Sequence, residues 1–162
     1  QFNSDLQIDF KNMVTRVVEN KGFWVGRYET SKMNAEQISV IKGTKDGINN
    51  VNWYNIYAKQ KKYSSQKSLG TMQSSMIWGS QWDQIMVWMK GIENTVNSTN
   101  GQYYVTNSLG MGNYGTSDDS QSGLANTGFF KVKNVFDLAG NVYDWTLEAN
   151  NTYNRVIRRR CL

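Results

Sequence analysis

The chain has 162 residues, room for one domain whose core would hide roughly 70% of the unfolded surface. Six Trp, nine Tyr and six Phe argue against disorder, and no apolar run approaches the roughly 20 residues that span a bilayer. Net charge is +5; with no His and one Cys, Cys161, the chain excludes imidazole catalysis, Ser/His/Asp and Cys/His constellations, internal disulfides, Cys-rich metal sites, zinc hydrolases and haem sites.

Residues 5 to 20 read as an amphipathic helix, with Leu6, Phe10, Met13, Val14, Val17 and Val18 on one apolar face. Asn20, Lys21 and Gly22 should close it, with Gly suited to the left-handed cap. Phe23 to Tyr28, aromatic and β-branched, read as a strand, and residues 29 to 50 as a long loop or a poorly formed hairpin. A second helix should begin near Asn52, with Trp53, Ile56 and Tyr57 inward and Lys59, Lys61 and Lys62 solvated. After the polar stretch Ser64 to Ser75 a third helix is expected. Ser80 would be its N-cap, Asp83 would lie in its first turn, and Trp82, Ile85, Met86 and Met89 would form its buried face.

From Asn94 to Gly128 the chain is rich in Gly, Asn, Ser and Thr, with one strand candidate at Gln102 to Thr106. The glycines at 110, 112 and 115 neither follow an apolar strand nor open a helix, so they are read as turns on an exposed face and not as a phosphate loop. Arg155, Arg158, Arg159 and Arg160 supply most of the positive excess and are read as a solvated tail. No nucleic-acid-binding signature accompanies them, so nucleic acid is not an expected partner. Proline is absent, against roughly eight residues at an average usage of about 5%, and nothing in the sequence explains it. Few strands, two or three helices and long loops predict an α+β domain.

Two segments carry a family resemblance. Gly22-Phe23-Trp24-Val25-Gly26-Arg27-Tyr28-Glu29-Thr30 and Asn134-Val135-Phe136-Asp137-Leu138-Ala139-Gly140-Asn141-Val142-Tyr143-Asp144-Trp145-Thr146 stand in the chain in that order. They resemble the formylglycine-generating enzyme, or sulfatase-modifying-factor, family, whose patterns read "GxYxxGRYEVT" and "GLYDMxGNVWEWT". Val51-Asn52-Trp53 and Gln81-Trp82-Asp83 stand where that family has "NVSW" and "EAEWE". The resemblance spans about residues 22 to 160. It implies a C-type lectin-like fold of two to three helices and small twisted antiparallel sheets with long loops. Residues 1–21 would be a helix leading into a domain at 22–162.

The family's enzymes use a pair of copper-binding cysteines or an iron site built from histidines, and this chain has neither set. The resemblance therefore implies a non-catalytic member. It also implies a calcium turn, with the carboxylates of Asp137 and Asp144 and the carbonyls of Gly140 and Val142 as ligands. The alternative is that the two Asp cap turns and Gly140 supplies an unusual backbone angle. Arg155-Val156-Ile157-Arg158 matches the family's "RVxR", but Arg159-Arg160-Cys161-Leu162 stands in place of the family's next glycines, so a shortened member is expected. Lectin-like members include variable proteins of diversity-generating retroelements in phages and gut bacteria.

The functional expectation is a ligand-binding or display domain on a bacterial or phage surface, bound to protein or glycan through long loops. Tyr103, Tyr104, Asn113 and Tyr114 are the candidate contacts, since Tyr gives amphipathic area at low entropy cost. The alternative is a structural part of a virion or larger adhesin, with a homo-oligomer allowed and no membrane insertion. Carboxylate-only catalysis is the third reading, and adjacent Asp118 and Asp119 would point apart in an extended segment. The chain opens on Gln1 with no export signal, so it is expected to be a fragment or processed product. Asn97-Ser98-Thr99 and Asn150-Asn151-Thr152 are formal glycosylation acceptors that arise by chance in an Asn-rich chain.

Overall fold

A computed structural model describes residues 2–28, 30–32, 37–40, 51–90, 131–136, 138, 144–151 and 154–158. Among the described residues, three helices and three two-stranded antiparallel ladders make up a small α+β fold: α1 Phe2–Asn20, β1 Ser31–Lys32, β2 Ile38–Ser39, α2 Trp53–Gln66, α3 Gly79–Lys90, β3 Lys131–Val132, β4 Val135–Phe136, β5 Asp144–Ala149 and β6 Arg155–Arg158. The ladders pair β1 with β2, β3 with β4, and β5 with β6.

Helix α1 uses only part of its apolar face. Leu6 is buried and Met13 packs beside it, but Phe10, Val14 and Val18 form an exposed row on the flank of that stripe. The helix ends in a Schellman motif: the Gly22 N–H donates to the Val17 carbonyl at 3.0 Å and the Lys21 N–H to the Val18 carbonyl at 3.4 Å. The left-handed residue is Lys21, φ 56°, and not the glycine expected from the sequence. Gly22 takes the next position, because the motif's second hydrogen bond is made by the residue after the left-handed one.

Residues 23–28 do not form the expected strand. Their backbone joins no ladder, and Trp24 is 91% exposed. Residues 29 to 50 instead contribute the short β1–β2 pair, with Ile38 fully buried.

Helix α2 starts as expected, with the Asn52 side chain accepting from the Asn55 N–H at 2.9 Å. Trp53 and Ile56 are buried and Tyr57 lies between α2 and α1. A second Schellman motif closes it: Leu69 N–H to Ser64 carbonyl at 3.0 Å, Ser68 N–H to Ser65 carbonyl at 3.2 Å, with Ser68 left-handed at φ 52°. The Ser74 hydroxyl then ties the following segment back, accepting from the Ser64 N–H and donating to the Gln60 carbonyl.

Helix α3 begins two residues earlier than a Ser80 N-cap would set it. Gly79 is its first residue, and Gln81 reaches back to accept from the Trp78 N–H at 3.0 Å, half of a capping box. Ser80 is therefore inside the first turn, and Asp83 lies beyond that turn rather than in it. The predicted inner face holds: Trp82, Ile85, Met86 and Met89 are all buried.

Two apolar clusters result, and residues 76–78 divide them. Met76 and Trp78 join Leu6, Ile38, Trp53, Ile56 and Leu147, while Ile77 packs with Trp82, Ile85, Met86, Met89 and Val135. This is the period-2 alternation of an extended segment. Strand β5 lies alongside, the Leu147 N–H donating to the Ile77 carbonyl at 2.9 Å. At the far end of α3 the β3–β4 hairpin turns through Lys133 and Asn134, φ 46° and 66°, the signature of a type I′ turn. Lys133 Nζ donates to the Trp88 carbonyl at 3.1 Å and sits 4.5 Å from the Trp88 ring centroid. A cation is favoured there by the helix's C-terminal partial charge.

Candidate functional site

Strand β5, Asp-Trp-Thr-Leu-Glu-Ala, begins in the last three residues of the second resemblance segment and is the best-anchored of the described strands. Leu147 is 1% exposed, inside the larger cluster. The Thr146 carbonyl accepts from Trp53 Nε1 at 2.7 Å, and the Val51 carbonyl accepts from Trp145 Nε1 at 3.2 Å. The two indoles thus cross-stitch β5 to the start of α2. Thr146 Oγ1 donates to the Val156 carbonyl at 2.8 Å, fixing the β5–β6 hairpin, and the Arg155 guanidinium lies 4.9 Å from the Trp53 ring centroid. Tyr57 stacks on Trp53 at 5.0 Å.

The other side of β5 carries the ionisable groups. Glu148 packs its carboxylate against Gly79 at the start of α3, in the space a Cβ would fill. Arg158 Nη2 lies 2.6 Å from Glu148 Oε2 and 3.8 Å from Asp83 Oδ2. Glu148 is favoured there by the positive end of the helix dipole. About a third of the Glu148 and Arg158 side chains is exposed, so this pair contributes no more than about 1 kcal/mol.

Asp144 opens β5 opposite Arg158 in the ladder, yet no ion pair among the described residues reaches it. The residue as a whole is half-buried, but its carboxyl is packed round by protein. Loss of water pushes that carboxyl up from 3.8 to about 7. The Trp82 indole N–H is close enough to pull it part of the way back. No hydrogen bond joins the two, and Trp82 Nε1 is buried with no partner. A buried donor in that state costs about 1–3 kcal/mol. Sequence reasoning placed Trp82 only in the core; its buried indole N–H without a partner was the unread signal.

Of the residues expected to form the site, Asp144 alone is described. Asp137, Gly140 and Val142, the other calcium candidates, lie outside the described residues, as do Tyr103, Tyr104, Asn113, Tyr114, Asp118 and Asp119. Among the described residues no three acidic or cysteine side chains converge. Asp144 fits a calcium ligand in two respects: it is a hard oxygen donor, and the desolvation of its carboxyl is a cost that a bound cation would offset.

A second polar cluster joins α1 to α2. Tyr57 Oη donates to Asp9 Oδ2 at 2.6 Å, and Lys61 Nζ reaches both Asp9 oxygens at 3.0 Å and Tyr57 Oη at 3.1 Å. Burial and the Asp9 bond raise the Tyr57 pKa. For Lys61, burial acts downward, but the bonds to Asp9 and Tyr57 outweigh it and raise the value. Both groups are held in their protonated forms at neutral pH, the opposite of what a nucleophile or general base needs. The cluster is a clasp between helices.

Fold and site together define a small α+β domain whose one described candidate ligand stands where β5 meets α3. Compared with known proteins, the chain matches no family model, no curated protein and no solved structure.

Proposed function

We propose that the chain is a non-catalytic binding or display domain of C-type lectin-like type, related to the formylglycine-generating enzyme family. It works on a bacterial or phage surface, where residues 91–130 meet a protein or glycan ligand. The observation that carries this reading is the tie between the flanks of that segment: Trp88, near the end of α3, and Lys133, just after β3, are bonded to each other. The scaffold therefore releases the chain and takes it back at one place. Residues 91–130 contain no Lys or Arg, only Glu93, Asp118 and Asp119 as charges, and Tyr103, Tyr104 and Tyr114 among Asn, Gly, Ser and Thr. Tyr set among small polar residues is the composition of adaptable binding surfaces. The missing cations disfavour anionic ligands such as nucleic acid.

Calcium is the proposed cofactor, held by Asp137, Asp144 and the carbonyls of Gly140 and Val142, where it would brace the turn leading into β5. A glycan array and a surface-protein pull-down with folded protein test the binding function; silence in both sinks it. A second reading, a self-assembling structural part, draws on the exposed row Phe10, Val14 and Val18 of α1. Light scattering that shows only monomer removes that second reading.

A further inference from the structure

Helix α1 buries Leu6 and packs Met13 against the larger cluster, yet Phe10, Val14 and Val18 stay exposed in one row. Spaced i, i+4 and i+8, they form a continuous ridge along the helix. The ridge is held in place, because Phe10 stands edge-on to Trp78 at 5.0 Å and Asp9 is bonded to Tyr57 and Lys61 of α2. Its end leads directly into Phe23, Trp24 and Val25, all exposed. With an aromatic side chain worth about 150–250 Å², the exposed parts of these residues come to several hundred Å². That is on the order of the roughly 800 Å² each partner gives to a standard interface. A monomer rarely leaves so large an apolar patch in water.

We propose that this face joins two copies of the chain in a two-fold dimer, their α1 helices crossing antiparallel at Val14. An i, i+4 ridge packs into the grooves of its own copy with the axes crossing at about −50° and roughly 8–10 Å apart. The two-fold sets Val14 against the second copy's Val14, and Phe10 against its Val18. Charge selects the direction. Lys11 borders the ridge, whereas Asp5, Asp9 and Glu19 lie on the far side of the helix. In a parallel, in-register pair Lys11 would meet its own copy with no carboxylate between them. The antiparallel pair sets it beside apolar Val17 and brings opposite ends of the two helix dipoles together. The inference rests on the self-assembly reading of this row and is independent of what residues 91–130 bind.

Sedimentation equilibrium of the full chain over rising concentrations should show monomer passing into dimer. Val14 is 43% exposed, so Val14→Glu should melt as wild type does. It should nevertheless weaken dimerisation about a hundredfold or more, because the two-fold sets like charges face to face. Val14→Arg should do the same. An equimolar mixture of the two variants should dimerise again, Glu opposite Arg, which requires position 14 to meet itself. Trp24→Ala, at a site that touches little of its own chain, should weaken dimerisation about tenfold or more. Wild type that stays monomeric at every concentration overturns the proposal and the self-assembly reading together. So does a monomer that sediments with anionic lipid vesicles and loses that property in Val14→Glu, since the row then belongs to a membrane surface. An assembly indifferent to Val14→Glu, or a mixture that stays monomeric, overturns the proposal alone.

Discussion

The Asp144 carboxyl titrates near 3.8 in an unfolded chain and near 7 in the folded one, so folding takes up a proton between those values. Its favourable contribution is therefore complete below pH 3.8 and is lost as the pH rises toward 7. Asp144→Asn, neutral at every pH, should raise the melting temperature of metal-free protein at pH 8. The gain should be on the order of 2 kcal/mol and fade toward pH 4. A gain that does not vary with pH would show that Asp144 is not desolvated in the folded chain. Gly79 gives a second single-residue test. Ala at the start of a helix ordinarily favours it over Gly, but here the new Cβ would meet the Glu148 carboxylate. Gly79→Ala should therefore destabilise by about 1–3 kcal/mol. Combining it with Glu148→Ala should recover most of that loss in urea unfolding; simple additivity would show that the two side chains do not compete for space.

Helix termini and clasps set the next scale. Lys21 and Ser68 hold left-handed positions that favour glycine, so Lys21→Gly and Ser68→Gly should each stabilise by about 0.5–1 kcal/mol in thermal melts. Equal or lower stability would mean that the Schellman geometry is not kept. The clasp of Asp9, Tyr57 and Lys61 has its own pH signature. Both raised values, Tyr57 above 10.0 and Lys61 above 10.5, give stability that is complete below those figures and lost as the pH climbs through the folded values. Wild type should thus lose stability above about pH 10 more steeply than the double variant Tyr57→Phe/Lys61→Met, as read from denaturant midpoints at pH 8 and 11. At this scale the sequence was legible wherever a pattern had one physical solution. Asn52 capping α2 and the inner row Trp82, Ile85, Met86, Met89 follow from local chemistry and a 3.6-residue period. Residues 23–28 have strand composition, yet a strand also needs a partner with free hydrogen-bonding groups, and composition says nothing of partners. The start of α3 was misplaced because a Gln reaching backward from the third position competes with a Ser N-cap, and both signals stand in the same four residues.

For the whole molecule, the family resemblance singled out Asp144, but nothing in the sequence showed that β5 lies along the segment 76–78 that divides the two clusters. That arrangement depends on Leu147 meeting Ile77 and Trp53 meeting Thr146, contacts across long stretches of chain. The same architecture makes a claim about residues 91–130. If they display a ligand surface on a scaffold closed by Lys133 and Trp88, the scaffold does not need them. Replacing them with a Gly/Ser linker of about eight residues should leave cooperative unfolding intact. The shorter loop should add about 1.4 kcal/mol, because closure entropy falls with the logarithm of loop length. Lys133→Ala in that background should remove about 1 kcal/mol, the tie to the end of α3 being lost. Ligand binding, wherever the arrays detect it in the parent chain, should vanish in the shortened one. A shortened chain that no longer unfolds cooperatively would place residues 91–130 in the core, and the display reading would lose its structural basis.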